Sequence, residues 1–219
     1  MLGALFYPGG VPFDSLFIPA IYQEIYYDGI YMDIVNVLDK EKKDPIIVDI
    51  GANIGIVTQY LRDHAKKVYA IEPATEHFEA LQKNKEFNHW DNVEIFKLAI
   101  SDKDGEARLK FYEPNRTSHS LVYYINIDDK FSEMVKTQKL TTFFKENNIT
   151  HVDFCKMDIE GAEEMVLSSP DFEEASRMID CIEVEFHFPT FPELINRMIK
   201  LGYQARRYPC SAIVVAFNK

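Results

Sequence analysis

Residues 48–55 read Val-Asp-Ile-Gly-Ala-Asn-Ile-Gly, and they are the most informative stretch of this chain. An apolar run at 45–48 leads into it, and a helical pattern of apolar residues begins at residue 54. The stretch therefore predicts a buried strand, a glycine turn and a helix. Such a turn lets a ligand approach bare backbone and directs helix N–H groups towards it, so the stretch also predicts a ligand site.

A single carboxylate, Glu72, follows the next apolar run, at 68–71. It comes about 20 residues after the first glycine of the turn, which is the distance at which an acidic side chain at a strand tip grips a ribose diol. The sequence therefore predicts a cofactor that contains a nucleoside. For the turn taken alone, an ordinary strand–helix connection with two glycines is the alternative.

The composition of the turn favours S-adenosylmethionine as that cofactor. Gly51 and Gly55 do not have the G-x-G-x-x-G spacing of a dinucleotide site, and the loop contains no lysine or arginine to meet a phosphate. Asp49 makes the loop acidic, which suits a phosphate-free molecule with a sulfonium and an amino group. A nicotinamide-dependent oxidoreductase is the alternative, because it would also use a glycine turn and a ribose carboxylate.

The composition of the chain is typical of one globular domain covering residues 1–219, with 47 % apolar and 27 % charged residues. A net charge of −11 argues against a nucleic-acid partner. No apolar run is long enough to cross a membrane, and the short apolar N-terminus lacks the basic flank of a signal peptide. Three scattered cysteines without metal-ligand spacing fit a reducing compartment, so we expect a cytoplasmic protein.

Apolar runs alternate with helical patterns along most of the chain. This alternation predicts an α/β fold with a doubly wound, mostly parallel sheet of seven strands and an antiparallel last strand. We expect a helical lead-in at 14–40 and a β-rich insertion at about 103–140, placed above the ligand edge of the sheet. The predicted strands are 46–50, 67–72, 93–100, 152–158, 179–187 and a terminal hairpin at 203–208 and 212–217.

Residues 152–163 form a second motif, in which an apolar strand ends in Asp158, Glu160 and a glycine. Ligands of an open parallel sheet bind beyond the carboxyl ends of its strands, near the point where strand order reverses. Asp158 is therefore expected to face the reactive end of the cofactor. The alternative is that both carboxylates only complement the N-terminus of the helix that follows.

Strand alternation places Lys156 on the same side as these carboxylates, and it groups Glu183, Glu185 and His187 on the neighbouring strand. We therefore expect carboxylates, a histidine and a lysine to converge at the site. Because a buried unpaired charge is costly, we predict an ion pair between Lys156 and either Glu183 or Glu185.

Three segments together resemble the FkbM-type family of S-adenosylmethionine-dependent methyltransferases: 48–55, 71–73 (Ile-Glu-Pro) and 153–163 (Asp-Phe-Cys-Lys-Met-Asp-Ile-Glu-Gly-Ala-Glu). The resemblance runs from about residue 22 to the C-terminus, and its third segment is the specific one. It implies a Rossmann-like methyltransferase fold. It also implies a small-molecule acceptor, usually a hydroxyl of a sugar or secondary metabolite that becomes O-methylated.

The resemblance also assigns residues to the cofactor. Glu72 would accept the ribose hydroxyls, and Asp158 would lie near the amino group or near the incoming nucleophile. Tyr26 and Tyr31 would either close over the cofactor or pack in the core as ordinary aromatic residues. The remaining assignments are Asp49, Gly51, Asn53 and Gly55 to the methionine and ribose part, and Ala99, Ile100 and Ser101 to the adenine.

Methyl transfer to an alcohol requires an aligned acceptor, exclusion of water and a general base. Asp158 and His187 are the candidate bases, and His119 in the insertion is the third. Alternatively, Asp158, Glu160 and Glu185 would hold a Mg²⁺ ion that orients a diol, and the spacing does not decide between metal and base. A non-catalytic protein that binds S-adenosylmethionine is the remaining alternative.

Overall fold

The computed structural model describes residues 31–111, 119–122, 132–187, 191–207 and 213–219. The first part contains α1 (Met32–Glu41), β1 (Ile46–Ile50), α2 (Ile56–Leu61), β2 (Lys67–Ile71), α3 (Thr75–Phe87) and β3 (Val93–Phe96). A β-rich part follows, with β4 (Ala99–Ile100), β5 (Gly105–Phe111), β6 (His119–Ser120) and β7 (Ser132–Gln138). The last part contains α4 (Leu140–Glu146), β8 (Val152–Met157), α5 (Glu163–Ser168), α6 (Pro170–Ala175), β9 (Ile179–Phe186), α7 (Phe191–Lys200), β10 (Gln204–Arg207) and β11 (Ile213–Asn218). Because the predicted lead-in is described only from residue 31, Tyr26 lies outside the described residues.

Seven of the described strands form one sheet in the order β3-β2-β1-β8-β9-β11-β10. β1 pairs in parallel with β2 and β8, whereas β11 runs antiparallel to β9. The predicted doubly wound, mostly parallel sheet with an antiparallel last strand is confirmed. Strand order reverses between β1 and β8, so the carboxyl ends of these two strands mark the edge where a ligand is expected.

The main sheet is covered by helices on both faces, because its central strands are apolar on both sides. In β1, Ile47 belongs to a core cluster that includes Leu38 of α1, Leu61 of α2 and Leu81 of α3. The next residue, Val48, belongs to a cluster on the other face, which contains the buried apolar residues of α4 to α7. Alternating side chains of one strand therefore join two separate helical layers to the sheet.

A second sheet of four described strands, in the order β4-β7-β5-β6, lies next to the main sheet. The prediction of one strand at 93–100 is wrong, because the strand in the main sheet ends at Phe96. Ala99 and Ile100 pair instead with β7, so the chain crosses between the two sheets at residues 97–98. Leu109 of β5 and Leu121 reach the ligand edge, as expected of the insertion.

One helix, α6, was not predicted, although its start carries a recognisable signal. Ser169 precedes Pro170 and accepts a hydrogen bond from the backbone N–H of Phe172 at 3.1 Å. A serine cap followed by proline at the first helical position is a typical helix start. Across the parts of the chain that the structure describes, no helix combines the length and apolar character needed to cross a bilayer.

Candidate active site

A pocket lies at the carboxyl ends of β1, β2 and β8, where the second sheet meets the main sheet. It contains about 570 Å³ of space, part of which is open to solvent. Its polar lining residues are Asn53, Glu72, His77, Asp158 and Glu160, and its apolar lining includes Ile71, Leu98, Ala99, Ile100, Leu109 and Leu121. The predicted ligand edge therefore carries a cavity with one apolar and one acidic set of groups.

The glycine turn between β1 and α2 uses its own backbone N–H groups for bonds within the protein. Those of residues 51 and 52 donate to the carbonyl of Ile71 at 3.0 and 2.9 Å, and that of Asn53 donates to Glu72 at 2.9 Å. Those of residues 54 and 55 donate to Asn53 Oδ1 and to the carbonyl of Ala52. A bound pyrophosphate would need such N–H groups, so the turn does not suit a dinucleotide.

Glu72 lies in the pocket wall, and the backbone holds both of its carboxylate oxygens. Oε2 accepts a hydrogen bond from Asn53 N, and Oε1 accepts one from Ala74 N, each at 2.9 Å. Burial raises the pKa of Glu72 to about 7, although the two backbone hydrogen bonds and Lys156 oppose the rise. A carboxylate has about four acceptor positions, so Glu72 has capacity for further donors such as a pair of hydroxyls.

Lys156 is buried at β8 between two carboxylates. Its Nζ lies 3.6 Å from Asp49 Oδ1 and 3.4 Å from Asp158 Oδ2, and it donates to the carbonyl of Gly51 at 2.8 Å. Burial alone would lower the pKa of Lys156, but Asp158 and Asp49 raise it above its usual value, so the ammonium stays charged. The predicted ion pair with Glu183 or Glu185 is wrong, because the partners of Lys156 are Asp49 and Asp158.

The reason lies in Glu183, which is in register with Lys156 on β9, just as Asp49 is on β1. Burial raises the pKa of Glu183 to about 8, so near neutral pH this carboxyl is largely protonated and attracts the lysine weakly. The hydroxyl of Tyr31 donates a hydrogen bond to Glu183, and the Tyr31 ring packs edge-on against Phe154. Tyr31 is 7 % exposed, so it is a core residue and does not close over the pocket.

His187, directly after β9, lies among four carboxylates. Its Nδ1 is 3.1 Å from Glu163 Oε1, and its Nε2 is 3.5, 3.8 and 3.9 Å from oxygens of Glu160, Glu185 and Asp158. Burial lowers the pKa of His187, but Glu163 and then the other carboxylates outweigh burial and raise the pKa to about 9. The expected convergence of charged groups is present, yet His187 holds a proton near neutral pH and does not suit the predicted role of general base.

The other predicted site residues fall into two groups. Gly51, Asn53, Ala99, Ile100, Asp158 and Glu160 line the pocket. Among the described lining residues Asp49, Gly55 and Ser101 do not occur, and their contact with the cofactor stays a prediction. Asp49 is fully buried, where it accepts a hydrogen bond from Thr58 and pairs with Lys156. The side chain of His119 lies outside the described residues.

Sequence reasoning did not identify His77 as a pocket residue. His77 lies in the first turn of α3, is 2 % exposed, and places its Nδ1 4.0 Å from Glu72 Oε1. A signal was available, because a helix that starts three residues after Glu72 brings its first turn back to that carboxylate. The apolar residues Leu109 and Leu121 had no comparable signal, because they belong to the insertion.

The chain matches the family model described as Methyltransferase FkbM domain over residues 49–205. It is 29 % identical to Methyltransferase 1 of Beauveria bassiana over 197 residues, which cover 80 % of this chain and 75 % of that protein. It is 27 % identical over 158 residues to the 2-O-methyltransferase NoeI of Sinorhizobium fredii, with 64 % of this chain and 62 % of that protein covered. A shorter match, 38 % identical over 86 residues, covers 39 % of this chain and 28 % of a probable ribosomal RNA small subunit methyltransferase A of Thermococcus sibiricus.

Among solved structures, the N-terminal domain of human METTL16 in complex with S-adenosylhomocysteine is similar to this chain with a TM-score of 0.53. The similarity covers 94 % of this chain and 72 % of that one, at 11 % sequence identity. At this identity the likeness concerns the fold, which is the Rossmann-like methyltransferase fold.

Proposed function

Given that this chain belongs to the FkbM family of methyltransferases, we propose that it transfers the methyl group of S-adenosylmethionine to a hydroxyl of a sugar or another small metabolite. The observation that carries the proposal is the pocket where strand order reverses, which combines Glu72, an apolar wall and the carboxylates Asp158 and Glu160. The name of the related 2-O-methyltransferase NoeI supports oxygen as the accepting atom.

The groups in the pocket fit S-adenosylmethionine. Glu72 would accept hydrogen bonds from the two ribose hydroxyls, and the apolar lining around Leu98 and Ile100 would flank the adenine. Asp158 and Glu160 would lie near the cationic end of the molecule. The turn has its N–H groups bonded within the protein, which suits a nucleoside without a phosphate. S-adenosylhomocysteine in the structurally similar METTL16 domain supports the same assignment.

Bound S-adenosylmethionine supplies a methyl group on a sulfonium, a carbon already activated for displacement. The residues of this chain must hold the acceptor in line, exclude water and take up the hydroxyl proton. Asp158, held by Lys156 at 3.4 Å, is proposed to orient the acceptor hydroxyl. Glu160, which lines the pocket with 29 % of its side chain exposed, is proposed to take the proton. The protonated His187, 3.5 Å from Glu160, would stabilise the negative charge of both carboxylates.

Two alternatives have less support. A nicotinamide-dependent oxidoreductase would need free N–H groups at the glycine turn, and these are used within the protein. An RNA acceptor would approach a chain with a net charge of −11 and a pocket that carries carboxylates, and both repel a polyanion.

A cytoplasmic location is part of the proposal, and the free thiols of Cys155 and Cys181 support it because they suit a reducing compartment.

The test is the transfer of an isotopically labelled methyl group from S-adenosylmethionine to a panel of sugars, other hydroxylated metabolites and RNA. We expect the label in a methyl ether of a small hydroxylated acceptor. Glu160→Gln is expected to lower kcat by about 100-fold or more, because the proton acceptor is lost. Label found in RNA, or on a nitrogen atom, would contradict the proposed acceptor.

A further inference from the structure

We propose that Asp158, Glu163 and His187 bind a divalent transition-metal ion at the wall of the pocket. Asp158 lines the pocket, whereas Glu163 opens helix α5 behind it and His187 follows β9. The binding site itself is independent of the proposed function. The role that we assign to the ion, which is to hold an oxygen of the acceptor, rests on the proposed function.

The geometry of the three side chains fits a single ion. Each of them presents one potential ligand atom, and these atoms all lie within 4.8 Å of one another. Ligand atoms about 2.0–2.3 Å from a common ion can be separated by at most about 4.6 Å, so only small side-chain movements are needed. Three separate segments of the chain supply the ligands. The packing of β8, α5 and β9 therefore holds the ligands in position.

Glu163 provides the second, independent observation. Its side chain is 1 % exposed, and its Oε2 has no hydrogen-bond partner among the residues that the structure describes. The other oxygen, Oε1, accepts a hydrogen bond from the backbone N–H of Ile159 at 2.9 Å and lies 3.1 Å from His187 Nδ1. A buried carboxylate oxygen without a partner is costly, and a cation bound beside His187 would satisfy it.

The charge around the three residues also calls for a cation. Glu160 and Glu185 lie 3.5 and 3.8 Å from His187 Nε2, so they bring two further carboxylates to the cluster. The ammonium of Lys156 pairs with Asp158 of this cluster, but it also pairs with the buried Asp49. A divalent ion bound to the neutral imidazole would take the place of the proton on His187 and offset more of the negative charge that remains.

A second group of similar composition, His151, Asp153 and Asp180, has its negative charge neutralised by a lysine. Lys42 reaches into it, with its Nζ 2.6 Å from Asp180 Oδ2 and 3.3 Å from Asp153 Oδ1. Its residues lie at the amino ends of β8 and β9, at the sheet edge away from the pocket. This lysine supplies the positive charge, so the group serves as a matched control for the proposed site.

The ligand chemistry indicates the class of ion and its use. One imidazole with two carboxylates suits Mn²⁺, Fe²⁺ or Zn²⁺, whereas Mg²⁺ and Ca²⁺ are bound mainly by oxygen ligands. This set differs from the Mg²⁺ site of Asp158, Glu160 and Glu185 that the sequence suggested, because Glu163 and His187 replace two of its members. Because Asp158 faces the pocket, the ion would have coordination positions open towards the acceptor, and Glu160 would remain to take the proton.

The test is a titration of the purified protein with Mn²⁺, followed by the electron paramagnetic resonance signal of free Mn²⁺. We expect one ion to bind per chain at micromolar concentrations, and Zn²⁺ to displace it more readily than Ca²⁺ does. Glu163→Gln and Asp158→Asn should each weaken binding by about tenfold or more, since each removes a charged ligand. His151→Gln should leave binding unchanged.

A second readout needs no variant, because an ion that binds only the folded protein raises its Tm. We expect Mn²⁺ to raise the Tm of the wild type and of His151→Gln equally. Absence of stoichiometric binding up to millimolar Mn²⁺ would overturn the inference, as would binding that survives Glu163→Gln or disappears in His151→Gln. Binding of S-adenosylhomocysteine without metal is measured on the same sample, so failure of the metal site and failure of the proposed function are distinguishable.

Discussion

The main-chain carbonyl oxygen of Asp158 lies 1.8 Å from the position that a Cβ atom would take on Gly51. The backbone N–H of Asp158 also donates to the carbonyl of Ile50 at 3.1 Å. The two sequence motifs therefore pack backbone against backbone in the wall of the pocket. Gly51 is required by this contact and by its φ of +81°, in addition to any ligand that approaches the turn.

Replacing Gly51 with alanine tests this contact. The new methyl group would force the ends of β1 and β8 apart and would strain a backbone with positive φ. We expect the free energy of unfolding in urea to fall by about 2–4 kcal/mol, with loss of S-adenosylhomocysteine binding.

Gly202→Ala is the matched control, because Gly202 has a φ of +95° and no atom of the described residues lies within 4 Å of its Cβ position. It should cost only the conformational strain, about 1 kcal/mol. Equal losses of stability in the two variants would show that the contact between Gly51 and Asp158 is unimportant.

Substitution of Lys156 by methionine tests the buried charge network. The change leaves the fully buried Asp49 without its ammonium partner, so the free energy of unfolding should fall by about 3–5 kcal/mol. The measurement is equilibrium unfolding in urea, combined with Asp49→Asn in a double-mutant cycle. If the two losses are additive, Lys156 and Asp49 do not stabilise each other as the 3.6 Å separation indicates.

Sequence patterns were sufficient for the parts of the fold that depend on local periodicity. The strand–turn–helix at 46–61 and the order of elements around Glu72 and Asp158 follow from apolar runs and glycines, because a central parallel strand must be apolar on both faces. The position of Glu72 at the tip of β2 follows for the same reason.

The remaining features depend on contacts between distant segments. The apolar pattern of 93–100 does not reveal that Ala99 and Ile100 pair with β7, because that partner lies about 40 residues further along the chain. The partner of Lys156 depends on register, which places it between Asp49 and Glu183, and on the burial that protonates Glu183. Neither register nor burial is encoded in the spacing of charged residues within one strand.

Replacing Glu72 with glutamine tests the proposed ribose anchor. Glutamine keeps the shape of the side chain but removes the charge that would receive two hydroxyl hydrogen bonds. The dissociation constant of S-adenosylhomocysteine should rise by about 10- to 100-fold. Glu133→Gln is the control, since Glu133 also accepts a backbone hydrogen bond, from Thr75 N at 2.7 Å, but lies outside the pocket lining. An equal rise of the dissociation constant in both variants would show that Glu72 does not anchor the ribose.

The pKa of about 7 for Glu72 predicts a pH dependence of binding. Hydroxyl donors favour the ionised carboxylate, so the ligand should bind more weakly as pH falls below about 7, by up to about tenfold per pH unit. Calorimetry in buffers of different ionisation enthalpy should detect proton release at pH 6 and little at pH 8. Affinity that is constant from pH 6 to 8 would contradict the assignment.

The raised pKa of Glu72 also predicts that the free energy of unfolding falls as pH rises, whereas ligand binding strengthens. Because the pKa of Glu72 in the folded protein lies above its usual 4.5, ionisation of Glu72 opposes folding. Its contribution to the free energy of unfolding should therefore fall as pH rises from about 4.5 to about 7, and Glu72→Gln should remove this part of the pH dependence. Urea unfolding of both proteins at several pH values measures the difference, and parallel pH profiles would contradict it.

Calorimetric titration of the wild-type protein with S-adenosylhomocysteine and with NAD measures whether this pocket binds S-adenosylmethionine. We predict binding of one molecule of S-adenosylhomocysteine per chain at micromolar concentrations and no measurable binding of NAD. Binding of NAD without binding of S-adenosylhomocysteine by the folded protein would contradict the account.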